Sequence, residues 1–390
     1  MNKSTYVEIP VGPQHPALHE PLLLRVKVDG EAVVDVQVIT GYNHRGIEKL
    51  GERNTWIQNA YLYGRVCGIC NTVHAQAYVQ CVEEIGGIQA PPRANYLRTL
   101  VMELERIHSH MLITAVMAEL TGFDTLFMLL MRDRERIMWS KEIVTGNRVL
   151  ADYIIPGGVK WDVNKDKLSK ILKVLDFIEE RMKYYKKVIM EDSIINKRWR
   201  GIGIIRKDEA LEYCLVGPTV RGSGVKTDIR KDDPYAAYGE LDFELITYDE
   251  GDVWSRMMVR VDEIFESINM IRQIIKKLPD GPIAGKALPR VIKPGEAISR
   301  VEAPRGELVY HIISKGGQRP YRVKVRTPSF SNILNGVIAY RNSLLADVPV
   351  ILGSFDPCIA CMERLIVYDV RKNVEKVVPI RKLIRKRVMR

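Results

Sequence analysis

Two cysteine pairs with the same two-residue spacing lie near opposite ends of this 390-residue chain. They are Cys67-Gly68-Ile69-Cys70 and Cys358-Ile359-Ala360-Cys361. A two-residue spacer brings both sulfurs of a pair to one side of a turn, as a chelating metal site requires. A shared site therefore requires a fold that joins the two ends of the chain, because a zinc ribbon places its pairs only about 15–20 residues apart. The alternative of two unrelated turns with incidental cysteines stays open.

The pattern of apolar residues predicts an α+β protein, with a bundle of long helices at its centre and β structure at its margins. Residues 7–40 alternate in polarity around a hairpin turn at Asp29-Gly30. The helices predicted from three- and four-residue spacing are 54–85, Arg93–Leu120, Thr125–Thr145, Lys165–Ile189, Val253–Lys277 and Phe330–Leu345. Short strand-like runs return between Ala297 and Thr327.

We expect one integrated domain with three regions. Residues 1–52 form an N-terminal β region, residues 53–364 a helical core with both cysteine pairs, and residues 365–390 a basic C-terminal extension. The most apolar stretch, Ile107–Met131, is interrupted by histidines and acids, so no membrane span is expected. Cys81 and Cys214 stand alone in apolar surroundings and are predicted to be buried small hydrophobic residues.

The net charge of +11 first suggests an anionic partner such as nucleic acid. Nine basic and two acidic residues lie in 365–390, so +7 of that charge belongs to the extension. The charge is accompanied by no nucleic-acid-binding motif, and we expect no nucleic acid as partner. The extension is expected to dock on an acidic subunit or near lipid headgroups.

The residues around the cysteine pairs resemble the motifs of nickel–iron hydrogenase large subunits. The segment from Arg65 to Cys70, followed by His74, resembles their N-terminal metal motif, and the segment from Asp356 to Arg364 resembles their C-terminal one. The segment 302–307 resembles the family segment whose arginine, here Arg305, lies over the metal site. Three further segments, 12–16, 217–224 and 228–231, are closer to the homologous subunit of respiratory complex I. The resemblance covers nearly the whole chain and implies a fold like that of a nickel–iron hydrogenase large subunit.

The resemblance also implies partners. Such a large subunit belongs to an energy-converting complex on the cytoplasmic face of the cell membrane, where partner subunits hold it peripherally. The implied partners are a small [4Fe-4S] subunit, a ferredoxin-type iron–sulfur subunit, a complex I-like peripheral subunit and antiporter-like membrane subunits, with ferredoxin as electron donor. The loop carrying His15, Pro16 and His19 is expected to couple to the membrane arm. A plain polar turn is the alternative for this loop.

Two departures from the hydrogenase pattern indicate a branch without proton chemistry. A glutamate commonly stands three residues before the first cysteine in hydrogenases, and Gly64 at that position carries no proton. Glu48 and Glu52 are near it in sequence, and the sequence alone gives no distance in space. Hydrogenase large subunits are also usually trimmed after the residue matching Arg364, whereas residues 365–390 are present here.

Both departures favour the large subunits of archaeal membrane-bound sulfane sulfur reductases, which reduce polysulfide and drive ion pumping. Arg65 and Arg305 would then supply positive charge for an anionic polysulfide, with His74 beside them. The four thiols of Cys67, Cys70, Cys358 and Cys361 would hold a metal, stay free or pair as disulfides. The alternatives are a hydrogen-evolving, energy-converting [NiFe] hydrogenase and a non-catalytic coupling scaffold related to the complex I subunit.

Overall fold

The computed structural model describes residues 6–363, together with the backbone of residues 368–369 and 374–375. Most of the predicted basic extension, and Arg364, therefore lie outside the described residues. The helices are α1 (Ile47–Gly51), α2 (Trp56–Tyr63), α3 (Asn71–Gly86), α4 (Pro92–Leu120), α5 (Asp124–Thr145), α6 (Lys165–Glu191), α7 (Ser193–Trp199), α8 (Lys207–Glu212), α9 (Pro218–Arg221), α10 (Ile229–Asp232), α11 (Val253–Lys277), α12 (Pro328–Asn335), α13 (Val348–Ser354) and α14 (Ile359–Met362). Single 3₁₀ turns cover Tyr238–Glu240, Gly336–Tyr340 and Leu345–Asp347.

Two three-stranded antiparallel sheets stand at the margins of this bundle. The strands are β1 (Val7–Val11), β2 (Leu23–Asp29), β3 (Ala32–Ile39), β4 (Ile154–Ile155), β5 (Gly158–Val159), β6 (Ile292–Ala303), β7 (Gly306–Gly317), β8 (Arg322–Arg326), β9 (Tyr368–Asp369) and β10 (Val374–Glu375). The sheets have the orders β1-β2-β3 and β6-β7-β8, and β4-β5 and β9-β10 form two-stranded pairs. The hairpin predicted at Asp29-Gly30 is confirmed as the β2–β3 connection.

The core of the molecule is helical. Helix α4 is buried on nearly all sides and packs against α5 and α11, while α3 packs against β6 and β7. Helix α4 starts at Pro92, whose fixed φ and missing N–H suit the first helical position. The Asp252 side chain caps α11 by accepting from Ser255 N at 2.8 Å. The α+β class with a long-helix core is therefore confirmed. Among the described residues no helix has a stretch long and apolar enough to cross a bilayer.

The structure differs from the sequence prediction at two helices. The helix predicted over 54–85 is divided into α2 and α3, because the chain turns sharply through the first cysteine pair. The helix predicted over Phe330–Leu345 ends at Asn335 and continues as 3₁₀ turns. The expectation for Cys81 is confirmed, but that for Cys214 is wrong, since Cys214 is exposed where the chain leaves α8 with a positive φ of 52°. The region boundaries at residues 52 and 364 stay predictions.

Candidate metal centre

The fold brings the two cysteine pairs together. The Sγ atoms of Cys67, Cys70 and Cys361 all lie within 4.8 Å of one another, and Cys358 Sγ is 3.4 Å from Cys67 Sγ. All four side chains are buried. Cys358 and Cys361 are joined by a disulfide, with their Cα atoms 5.5 Å apart, while Cys67 and Cys70 are free thiols. The alternative of two unrelated turns is therefore excluded.

A buried ion pair supports the turn that carries Cys67 and Cys70. Glu105 on α4 accepts from Thr72 N at 2.9 Å and from Val73 N at 3.1 Å, both in the first turn of helix α3. Lys141 Nζ on α5 donates to Glu105 Oε1 at 2.9 Å and to Asn71 Oδ1 at 3.0 Å. A carboxylate at a helix N-terminus satisfies unpaired N–H groups and complements the helix dipole. Glu105 and Lys141 thus fix the direction in which α3 presents Cys70.

We expect Lys141→Met to destabilise the chain by about 3–5 kcal/mol, because Glu105 would be left as an uncompensated buried charge. Both side chains of the pair are fully buried. Urea unfolding of the purified chain measures the effect. Lys170→Met is the matched control, since the Lys170–Asp166 pair is exposed on α6 and is expected to contribute only about 0.3–0.5 kcal/mol. Equal effects of the two substitutions would contradict the supporting role of Lys141.

The second turn is held by polar groups at the start of α12 and by one arginine. Ser329 Oγ accepts from Cys358 N at 3.1 Å. Arg45 Nη1 donates to Arg65 O at 2.9 Å, and its Nη2 donates to Val66 O at 2.7 Å and Ala360 O at 2.9 Å. A single guanidinium therefore ties the backbone of the first cysteine turn to the backbone of the second.

Arg305 lies beside the cluster, as the resemblance implied. Its Nη2 donates to Asp356 Oδ1 at 2.6 Å and its Nε to Asp356 O at 2.7 Å. Burial alone would lower the pKa of Arg305, but the carboxylate of Asp356 and the neighbouring cysteine sulfurs outweigh burial and raise it. The turn that carries Arg305 is pressed against the start of α9, where a Cβ on Gly217 would lie 2.2 Å from Gly306 Cα. Glycine is required there because the two backbones touch.

The Arg65 side chain pairs with an acidic residue, and its predicted catalytic role stays a prediction. Its guanidinium makes two contacts of 2.6 Å with the carboxylate of Asp152, and a third hydrogen bond goes to Tyr61 O. The side chain is 44% exposed. Arg65 therefore forms an ion pair at the surface, and the charge next to the sulfurs comes from Arg305.

His74 lies in α3 one turn after Cys70, and its Nδ1 is 2.7 Å from Tyr310 Oη. Burial, and to a smaller extent the cations of Arg305 and Arg45, lower the pKa of His74 to about 3. The imidazole is therefore neutral at physiological pH. It is suited to orient its neighbours by hydrogen bonds, not to supply charge.

Glu20 is a site residue that the sequence analysis missed. Its Oε2 accepts from Ala360 N at 3.1 Å and also from Ile359 N, so the carboxylate is fixed on the backbone of the second cysteine turn. It belongs to the loop before β2 that had been singled out for His15 and His19. Glu20 stands 339 residues before Ile359, so their contact is not apparent from the sequence. The one indication was that the loop around His15 and His19 resembles a family segment. The site therefore has a carboxyl group on the backbone of its second cysteine turn, although Gly64 carries none.

An apolar cavity of about 180 Å³ leads to this carboxylate. Aliphatic side chains of α4, α13 and the N-terminal loop line it, together with Glu20, Arg305 and Asp356. His19 lies at its rim, with Nε2 3.7 Å from Glu119 Oε2, and His15 and Pro16 are exposed on the same loop. The coupling role of these three residues stays a prediction.

A second cavity, of about 190 Å³, is lined by both Cys361 and Glu48. Glu48 Oε1 accepts from Val325 N at 3.0 Å, and Oε2 lies 3.5 Å from both Arg322 and Lys324. Glu52 pairs with Arg322 and Lys49. Glu48 is therefore near the cluster in space as well as in sequence, whereas Glu52 belongs to the surrounding ion pairs.

The two free thiols differ in acidity. Burial raises the pKa of Cys67, but the hydrogen bond with Cys70, the Arg305 cation and the N–H groups of Cys70 and Ile69 together hold it below its ordinary value. The pKa of Cys70 lies well above its ordinary value, because the adjacent Cys67 sulfur and burial both disfavour a second negative charge. Cys67 is therefore the sulfur of this pair that ionises first.

The donor set fits a soft transition metal. Four buried sulfur atoms converge, and thiolates are ligands that favour soft or borderline metals over magnesium or calcium. Cys358 and Cys361 must be reduced before they act as thiolate ligands. The residues present are thus able to hold the nickel and iron that the resemblance implies.

Two family models match this chain. The model for the 49 kDa subunit of respiratory-chain NADH dehydrogenase matches residues 121–294 and 288–364. The model for nickel-dependent hydrogenases matches residues 45–124, which include the first cysteine pair.

Individual relatives cover nearly the whole chain. It is 44% identical to the carbon monoxide-induced hydrogenase of Rhodospirillum rubrum, over 93% of this chain and 100% of that protein. It is 38% identical to the membrane-bound hydrogenase subunit alpha of Pyrococcus furiosus, over 96% of this chain and 91% of that one. Its structure is similar to a chain in the solved archaeal membrane-bound sulfane sulfur reductase, a respiratory membrane complex, with a TM-score of 0.88, 35% identity and coverage of 93% and 100%.

Proposed function

Because this chain belongs to the family that contains nickel-dependent hydrogenases and the 49 kDa subunit of respiratory-chain NADH dehydrogenase, we propose that it is the large subunit of a hydrogen-evolving, energy-converting membrane-bound [NiFe] hydrogenase. The observation that carries the proposal is the carboxylate of Glu20 on the backbone of the second cysteine turn. Proton reduction needs a proton carrier within hydrogen-bond reach of the reacting centre, directly or through one water. Gly64 offers no such group, and in this proposal the role belongs to Glu20, which is held on the backbone between Cys358 and Cys361.

Each residue of the site has a distinct task in this proposal. Cys67, Cys70, Cys358 and Cys361 hold the metals, and Glu20 delivers protons to the sulfur cluster. Arg305, kept in place by Asp356, supplies the fixed positive charge over the site. When bound, the nickel–iron group supplies the redox chemistry by which two protons and two electrons become H₂.

The remaining partners follow from the same proposal. Electrons come from ferredoxin through [4Fe-4S] clusters of a small subunit and a ferredoxin-type subunit at the cytoplasmic face of the membrane. The loop with His15, Pro16 and His19 transmits the reaction to antiporter-like membrane subunits.

The apolar cavity lined by Glu20 suits a small neutral product, since its aliphatic walls offer few hydrogen bonds.

The test is a comparison of two reactions on one purified complex. We expect stoichiometric nickel by elemental analysis and H₂ evolution from reduced ferredoxin, with no matching rate of polysulfide reduction. A complex that lacks nickel and reduces polysulfide would overturn the proposal. Bound nickel without H₂ formation would also count against it.

Sulfane sulfur reduction is the second candidate, favoured by the likeness to the solved sulfane sulfur reductase complex. In that case Arg305 would bind an anionic sulfur chain, because a guanidinium pairs readily with soft anions in a buried site. A third candidate, a coupling scaffold without catalysis, would leave both reactions unchanged after substitution of Arg305.

A further inference from the structure

A network of buried ion pairs lies between helices α4, α9, α10 and α11, and the proposed function gives it no role. Its acids are Glu103, Asp228, Glu263 and Glu302, and the guanidinium groups paired with them belong to Arg106, Arg221 and Arg230. All seven side chains are buried. The ion pairs of the network thus join four carboxyl groups to three guanidinium groups. A buried carboxylate that receives few hydrogen bonds is costly, and the group avoids the cost by holding a proton.

Glu302 on β6 is the acid of this network that accepts the fewest hydrogen bonds. Its Oε1 accepts from Arg221 Nη1 at 2.8 Å, and its Oε2 has a long contact of 3.3 Å with Ile229 N. Asp228, by comparison, accepts twice from the Arg230 side chain, at 3.0 and 2.7 Å, and once from Arg230 N at 2.9 Å. The other two acids each contact three or more donor atoms. The extra proton therefore belongs on Glu302.

The electrostatic surroundings agree with this assignment. Burial, followed by the Asp228 carboxylate, raises the pKa of Glu302 to about 7 in spite of the nearby arginines. Burial lowers the pKa of His110 to about 4, which leaves that imidazole neutral. The groups that face Glu302 from the packed elements are Arg106, Arg221, Asp228, Arg230, Tyr235 and, across the strand pair, Glu307.

The outer end of the network reaches the surface at the start of α10. Asp228 N donates to Asp232 Oδ2 at 2.9 Å, and Thr227 Oγ1 donates to the same oxygen at 2.7 Å. Asp232 is exposed. An exposed carboxyl group therefore contacts the backbone of the buried Asp228.

The inner end of the network lies near Arg260, whose charge interacts with the carboxylate of Asp356, two residues before Cys358. His110 Nε2 is 2.9 Å from Glu263 Oε2, and Arg260 lies one turn before Glu263 on α11. Arg260 is fully buried, and the carboxylates of Asp356 and Glu263 both act on its charge. Within the described part of the chain, Arg260 Nε and Nη2, His110 Nδ1 and Asp356 Oδ2 have no hydrogen-bond partner. Buried polar atoms of this kind are regularly bonded to internal water, which needs two to four polar partners.

We propose that Glu302 is a proton-carrying carboxyl group, and that bound water around Arg260 joins its network to the cysteine site as a proton route separate from Glu20. Protons enter beside Asp232, pass to Glu302 and continue through the water toward the cysteines. Only protons move along this route, and each proton that leaves Glu302 is replaced from the surface. The arginines keep their protons and hold the acids in position. The purpose of the route rests on the proposed function, because H₂ formation consumes protons.

Infrared difference spectra of the whole complex, recorded as a function of pH, test the role of Glu302. We expect the C=O stretching band of a protonated carboxyl group to disappear as the pH rises through about 7, and to shift in D₂O. Glu302→Gln should lack this band. Glu296→Gln is the matched control on the same strand, where the carboxylate is exposed and pairs with His311. A band that persists in Glu302→Gln, or no such band in the unmodified complex, would overturn the assignment.

A second measurement tests the route. Glu302→Gln should slow H₂ evolution about tenfold or more while the metal content stays unchanged, and Glu302→Asp should restore part of the rate. Unchanged rates, or a high-resolution map without water around Arg260, would refute the connection. If the complex proves to reduce polysulfide instead of protons, the proposed function fails while the infrared titration still decides whether Glu302 carries a proton.

Discussion

Replacing Cys67 with serine is expected to remove the bound metal and, with it, all H₂ evolution. Cys67 Sγ lies at the meeting point of the two turns, 3.4 Å from Cys358 Sγ, and accepts from Cys70 N at 3.1 Å. A serine oxygen is a harder donor with a far higher pKa, so it fails to replace a thiolate toward a soft metal. The volume change is small, and the helical bundle should fold as before. Nickel analysis and an H₂ assay on the purified complex measure the loss.

Cys81→Ser is the control for this experiment. Cys81 is as deeply buried as Cys67, but its sulfur lies near the carbonyl oxygens of Ala297 and Tyr310, away from the cluster. Its substitution should leave nickel and activity intact. Full metal occupancy in Cys67→Ser, or equal losses in both variants, would argue against a four-cysteine centre.

The second large effect is expected for Glu20→Gln. The amide keeps the shape of the side chain and an oxygen for the N–H groups of Ile359 and Ala360, but it no longer carries a proton. General acid–base groups contribute about 100- to 10,000-fold to a rate, and we expect a loss of that size in H₂ evolution and in hydrogen–deuterium exchange. Metal content should stay at the level of the unmodified complex. A lost rate with an unchanged metal content distinguishes a proton carrier from a residue that only maintains the structure.

Glu8→Gln serves as the control for Glu20, since Glu8 is an exposed residue of the same N-terminal region and pairs only loosely with Arg25. It should have no effect on rate. A Glu20→Gln complex that retains nickel and evolves H₂ at the normal rate would exclude Glu20 as the carrier and reopen the case for sulfur chemistry.

The long helices of this fold could be predicted because their own residues specify them. The apolar spacing of α4 and α11 gave bounds within one residue of those observed, since burial against neighbours requires a continuous apolar stripe. The break between α2 and α3 was missed, because the turn through Cys67 and Cys70 is held by Glu105 and Arg45 from distant parts of the chain. Local periodicity carries no information about such contacts.

The site itself was predictable in part for the same reason. A two-residue spacing between cysteines is typical of a chelating turn, so a sulfur cluster could be predicted from the sequence. Arg65 was assigned to the site because its segment resembles the N-terminal metal motif of the family, and in the structure its guanidinium pairs with Asp152, 87 residues away. Glu20 was overlooked because its partners lie some 340 residues further along the chain. The partners of a charged side chain are set by the folded structure, and separation along the sequence does not predict which residues they are.

The brace formed by Arg45 between the two cysteine turns has a consequence for the timing of biosynthesis. Cys358 follows Cys67 by 291 residues, which a ribosome adds in about 15–60 s at typical rates of elongation. The first turn, with Arg45 on its carbonyl groups, is therefore translated long before Ala360 exists to complete the brace. During that interval the nascent chain presents two thiols to the cell without their partners. The two cysteine turns therefore come together only late in synthesis, and the proposed metal would be delivered to the finished chain or together with its last segment.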